Sequence, residues 1–190
     1  MAKIFLSAGH GGFEGSFRDP GVIAGNTTEA VEMIATRDLI VAELRARGVP
    51  VTSASDNLSL VGTIDWINST ATSRDVALEI QMNGSSVITT RGASAFFVSG
   101  RSDRQRQALR IINFLRRRIP ELPSRGVQPD SNAPLGRLAF CRDIVSPSIY
   151  LELGFLTNPS DRRLIQTRRR EFALGLADGL QSWLREVNGQ

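Results

Sequence analysis

The chain has one histidine, His10, and one cysteine, Cys141. A single cysteine excludes an internal disulfide framework and a cysteine-rich zinc site. A single histidine excludes any metal centre that needs two imidazoles from the same chain. Phe140-Cys141 sits in an apolar run, where a buried, inert thiol is expected. No apolar run reaches membrane-spanning length. Lys3-Ile4-Phe5-Leu6 is too short an apolar segment for a signal peptide and leads straight into a strand.

What is present is the composition of a folded protein: 41% hydrophobic and 22% charged residues, in a length suited to one domain. The net charge of +4 points to polyanionic partners such as nucleic acid, an anionic membrane or an anionic cell-wall polymer. The arginines cluster in Arg101 to Arg118 and Arg162 to Arg170, both on predicted helices. They read as solvated helix faces rather than as a nucleic-acid site.

Ala2 to Gly12 reads as a short strand, Ile4-Phe5-Leu6, running into a glycine-rich turn that carries His10. Ligands of open α/β sheets bind beyond such strand ends. The turn begins like a dinucleotide fingerprint, but Glu14 takes the final glycine position and no helix follows directly. Phe13 to Asn26 reads as an irregular loop. Asn26-Thr27-Thr28-Glu29 has capping-box spacing and predicts a helix to about Arg47, ended by Gly48.

Val49 to Thr52, Val76 to Met82, Ser94 to Ser99 and Ile149 to Leu153 read as strands. Leu58 to about Thr72 and Ser102 to Pro120 read as helices, as does Pro159 to about Val187 with a break near Arg168. Glu121 to Gly136 reads as a long loop of the kind that carries function. The alternation predicts a single-domain α/β fold: a twisted, mostly parallel sheet of about six strands with helices on both faces.

Two carboxylates give His10 a chemical context. Glu29 opens a helix, and Glu152 lies near the end of an apolar strand, where burial is costly without a cation nearby. Histidine and glutamate ligands on zinc, with a free glutamate as base, are the logic of metal-assisted amide hydrolysis.

In this order the motifs resemble the zinc-dependent N-acetylmuramoyl-L-alanine amidases, which cut muramic acid from the stem peptide of bacterial cell wall. Ala8-Gly9-His10-Gly11-Gly12 looks like the family's opening motif, which makes His10 the first zinc ligand. Asp19-Pro20-Gly21 looks like the following Asp-Pro-Gly, and Glu29 matches the second ligand. Glu32 fits that spacing less well. Arg125-Gly126 and Leu135 to Arg142 resemble the segment before the last strand. Ser148 to Asn158 resembles the strand and turn whose glutamate, here Glu152, is the catalytic base. The resemblance spans nearly the whole chain. It implies an amidase-type fold, zinc or another divalent metal, peptidoglycan or muropeptide as partner, and no binding of nucleic acid or insertion into membrane. With no signal peptide in the sequence, the expectation is a cytoplasmic protein, a released lytic protein or a domain excised from an exported one.

One position departs from the pattern. The family's third ligand is a histidine in a Ser-Ile-His-x-Asn stretch; here the stretch is Glu79-Ile80-Gln81-Met82-Asn83. Gln81 is a poor zinc ligand beside an imidazole and weakens the expected site. Glu79 shares the strand face of Gln81 and is a possible substitute. The plainer expectation pairs Glu79 with Arg74 or Arg91. Two functions follow from the resemblance: a metal-dependent amidase, or a metal-poor protein that binds muropeptide without cutting it.

Overall fold

The computed structural model describes residues 2–133 and 136–189. Strand β1 (Ile4–Ala8) is followed by two small hairpins, β2 (Phe13–Glu14) with β3 (Phe17–Arg18) and β4 (Ile23–Ala24) with β5 (Thr27–Thr28). Then come α1 (Glu29–Ala46), β6 (Val51–Ser53), α2 (Leu60–Thr70), β7 (Val76–Asn83) and β8 (Ala93–Phe97). After α3 (Ser102–Arg118) and β9 (Ser124–Pro129) lie a 3-10 turn (Asp130–Asn132), α4 (Ala139–Arg142), β10 (Ser148–Phe155), α5 (Pro159–Thr167) and α6 (Arg169–Val187).

Six strands form the central sheet in the order β6-β1-β7-β10-β8-β9. All neighbours are parallel except β8 against β10. Period-2 alternation divides the sheet into two faces. Ile4, Leu6, Val76, Leu78, Ile80, Ile149 and Leu151 point to one side and pack against α1, α3 and α6 in the main core. Phe5 and Ala77 point to the other and pack against Ile64 and Ile67 of α2 and Phe140 of α4. Helices therefore cover both faces, but α2 and α4 leave the carboxyl end of theirs open.

Several local expectations change. The N-cap of α1 is Thr28, whose hydroxyl accepts from the Val31 N–H at 3.3 Å, so Glu29 is the first helical residue and not the N3 partner of a box opened by Asn26. The Phe13 to Asn26 loop contains the paired hairpin strands. The Glu121 to Gly136 loop contains β9, the parallel edge partner of β8. Leu135, where the expected segment before the last strand begins, lies outside the described residues. The break near Arg168 is present, between α5 and α6. Cys141 is buried, and burial pushes its thiol up to about 12. Much of the arginine clusters is engaged in surface ion pairs, such as Arg118 with Asp178, Arg168 with Glu121 and Arg110 with Glu186. Among the described residues no helix is long and apolar enough to cross a membrane.

Candidate active site

Register brings the chemistry-bearing side chains together on the open face. Ser7 pairs with Glu79, Glu79 with Tyr150 and Tyr150 with Phe96, forming one row across β1, β7, β10 and β8. One step nearer the carboxyl ends of the parallel strands, Gln81 pairs with Glu152 and Glu152 with Ser94. His10 stands just past the end of β1. It joins Gly9, Asp19, Glu79, Gln81 and Tyr150 around a cavity of about 240 Å³, walled by Leu58–Leu60 and Leu138–Phe140.

His10 is held from two sides. Its Nδ1 lies 2.7 Å from Asp19 Oδ2, and its Nε2 lies 3.4 Å from Glu29 Oε2. A carboxylate only accepts, so Asp19 accepts from the Nδ1–H and Nε2 is the ring nitrogen turned toward Glu29. Burial alone would lower the His10 pKa, but the charge of Glu29 and the bond and charge of Asp19 outweigh it and raise it. Asp19 Oδ1 also accepts from the Gly21 N–H at 2.8 Å. Gly21 has φ of +62°, and a Cβ there would come within 2.8 Å of the imidazole and 2.7 Å of Glu29 Oε2. The Asp-Pro-Gly stretch thus orients the histidine and leaves room for it.

Glu29 is 1% exposed. Its Oε1 accepts from the Met82 N–H at 2.8 Å and its Oε2 from the Val22 N–H at 3.1 Å. Burial raises its pKa, partly offset by His10 and these two donors. Glu32, the rival by spacing, is turned elsewhere: it accepts from Thr27, Gln166 and Arg169.

The expected arginine partner of Glu79 is not there. Arg91 binds Asp161 and Arg74 binds Asn188. Glu79, 2% exposed, instead accepts from Ser7 Oγ at 3.1 Å and from Gln81 Nε2 at 2.8 Å, and burial pushes it up to about 6. The arginines fail to reach it because it sits mid-strand between β1 and β10, away from both loops. Gln81 lies across Gly9: a Cβ on Gly9 would fall 2.2 Å from Gln81 Nε2.

Glu152 is 7% exposed; its Oε1 accepts from Asn83 Nδ2 at 3.0 Å, and Ser94 adds a second donor. Burial raises its pKa, with Asn83, Ser94 and the charge of Arg125 pulling it back. Sequence reasoning missed the orienting role of Asp19 and the donors Asn83 and Ser94. Asn83 was within reach of it, being two residues past Gln81 on the same strand face.

The donor set can be tested against a divalent metal. Among the described residues no group of three His, Cys, Asp or Glu side chains is arranged to hold one. His10 Nε2 and Glu29 Oε2 do stand as close as two ligands on one ion, and Asp19 gives the histidine its usual outer partner. Gln81 is an amide whose NH₂ group donates to Glu79. The chemistry of His10 and Glu29 suits a divalent ion, to which an amide such as Gln81 would add only a weak, neutral ligand.

Comparison with known proteins comes from sequence and from structure. A sequence model of the family described as N-acetylmuramoyl-L-alanine amidase matches residues 4–182. Comparison with curated proteins gave no match. Among solved structures, the chain is similar to the N-acetylmuramoyl-L-alanine amidase AmiC2 of Nostoc punctiforme, with a TM-score of 0.82, 19% identity and 97% of each chain covered. It is similar to the CwlD amidase of Clostridioides difficile, solved in complex with the GerS lipoprotein, with a TM-score of 0.81 and 22% identity over 98% of this chain and 100% of that one. The amidase Ami1 of Mycobacterium smegmatis gives a TM-score of 0.79 at 20% identity, with 97% of each chain covered. At these identities the likeness to solved structures establishes the fold.

Proposed function

The chain belongs to the N-acetylmuramoyl-L-alanine amidase family, and from that premise we propose that it hydrolyses the muramoyl–L-alanine amide of peptidoglycan with a divalent metal, zinc in the first instance. His10, Glu29 and Gln81 would hold the metal, and Glu152 would act as general base and then general acid. When bound, the ion supplies a Lewis acid for the amide carbonyl and a lowered pKa for the attacking water.

The protein's own groups support the remaining steps. Glu152 takes a proton from water and passes it to the leaving nitrogen. Burial raises its pKa, which brings the carboxyl nearer the range where it serves in both directions. Asn83 and Ser94 hold its orientation, so little rearrangement precedes proton transfer. Asp19 holds Nδ1 of His10, so Nε2 is the nitrogen that would be offered to an ion shared with Glu29. The cavity beside His10 has room for part of a sugar or a short peptide, with the apolar Leu58–Leu60 and Leu138–Phe140 walls excluding water.

The observation that carries this reading is the convergence of His10 on Glu29 at 3.4 Å, beside a row in which Gln81 and Glu152 are direct neighbours. Gln81 supports a second reading, a metal-poor protein that binds muropeptide without cleaving it, because an amide replaces a charged or imidazole ligand. Incubation of zinc-supplemented protein with a soluble muramoyl-peptide, analysed by mass spectrometry, separates the two. The first predicts a free L-alanyl amino terminus that Glu152→Gln abolishes. Intact substrate, bound but uncut at any metal concentration, would favour the second.

A further inference from the structure

The row of site residues continues past Ser94 to the edge of the sheet. Strands β8 and β9 pair Ala93 with Ser124 and Ala95 with Val127, so Arg125 and Gly126 together stand opposite Ser94. This is a bulge, and Gly126 takes the left-handed φ of +86° that such a turn of the strand requires. Bulges of this kind re-aim a side chain, and here the residue re-aimed is Arg125.

Arg125 is exposed, and its guanidinium lies 5.2 Å from the centroid of the Phe155 ring. Phe155 ends β10 three residues after Glu152 and is buried, so it provides a fixed platform. Among the described residues no carboxylate pairs with Arg125. Arg91 and Arg142, by contrast, are bound to the buried Asp161 and Asp130. Arg125 is thus a cation placed by the backbone, rested on an aromatic ring, in no ion pair among the described residues and close enough for its charge to act on Glu152.

We propose that Arg125 binds a carboxylate of the stem peptide, carried by the second or third residue beyond the scissile amide. The spacing follows from the sheet. Two interstrand steps separate β10 from β9, about 10 Å in all. An extended peptide covers that distance in about three residues, fewer once the reach of the arginine side chain is counted. A guanidinium also matches a carboxylate in two-point geometry, which a lysine at the same place would not. This inference rests on the peptidoglycan reading above and adds the charge that the substrate must carry.

The test is titration calorimetry with chelator present, so that nothing is cleaved, using two muramoyl-peptides that differ only in a free carboxylate or its carboxamide. Wild type is expected to prefer the free acid by about two- to fivefold, as an exposed ion pair allows. Arg125→Met is expected to bind both alike, at the weaker affinity, with Arg125→Lys between. Thermal unfolding checks that the variants, altered at an exposed edge position, remain folded. Equal binding of the two peptides by wild type, or a preference that survives in Arg125→Met, would overturn this inference alone. Binding of neither peptide by wild type would overturn it together with the peptidoglycan reading.

Discussion

The cavity wall depends on an ion pair whose two halves differ in burial, and that difference predicts unequal effects of removing each. Asp130 is 0% exposed, while the Arg142 side chain is 28% exposed. Asp130 accepts from both Nε and Nη2 of Arg142, from the Ser99 N–H at 2.9 Å and from the Ser99 hydroxyl at 3.3 Å. It thereby ties the end of β8 to α4, which carries Ala139 and Phe140 into the wall beside His10.

Arg142→Ala leaves a fully buried carboxylate with only Ser99 as donor. Breaking a buried pair in this way costs about 3–5 kcal/mol, and the remaining Ser99 bonds favour the lower end. For a chain of this size, about 3 kcal/mol at that lower end is about 6–12 °C in Tm. Asp130→Ala instead leaves an arginine that water can reach and an N–H on an exposed residue, which costs about 1–2 kcal/mol. The double variant should resemble Asp130→Ala, because no buried charge remains.

The pH dependence follows from the same contacts. Burial by itself would raise the Asp130 carboxyl, but Arg142 and Ser99 outweigh it and hold the pKa below the ordinary value. The resulting stability is full above about pH 4 and is lost as pH falls through the folded-state value. Arg142→Ala should lose less on acidification over that range. Thermal and urea unfolding of the three variants between neutral and acid pH measures both effects. Equal losses for the two single variants, or a larger loss for Asp130→Ala, would refute the reasoning.

Other substitutions address the chemistry. Gln81→His supplies a second imidazole next to His10 and Glu29 and should tighten zinc binding by at least about tenfold in a chelator competition; no gain would mean that the pair does not stand in ligand geometry. Glu152→Gln should lower hydrolysis by about 10²–10⁴ while Tm and muropeptide binding hold, and wild-type rates in that variant would remove Glu152 from the reaction. Gly9→Ala places a Cβ 2.2 Å from Gln81 Nε2, so it should displace Gln81, break its bond to Glu79 and weaken metal binding more than it lowers Tm. Metal affinity unchanged in Gly9→Ala would mean that Gln81 takes no part in holding the ion.

The sequence was most legible where one physical signal dominated. β7 is buried on both faces, so VALEIQMN shows as an apolar run in which Glu79 and Gln81 stand out, and period 2 puts both on one face. The break at Arg168 and the burial of Cys141 were likewise readable. β9 was not, because an edge strand with a bulge, Gly126 and Pro129 shows no apolar pattern and reads as loop. At α1, the polar run Asn26-Thr27-Thr28 offered more than one cap, and the hairpin β4–β5 selected Thr28. The site divides in the same way. His10, Glu29, Gln81 and Glu152 were marked by residue type and motif. The Asp19–His10 bond and the Ser7–Glu79–Gln81 chain depend on loop geometry and strand register, which local sequence does not encode.

Zinc titration of the metal-free protein, read as stoichiometry and affinity, tests the central claim most directly. The account predicts close to one zinc per chain, lost in Glu29→Ala and tightened in Gln81→His. Absence of binding at excess zinc in both wild type and Gln81→His would contradict it.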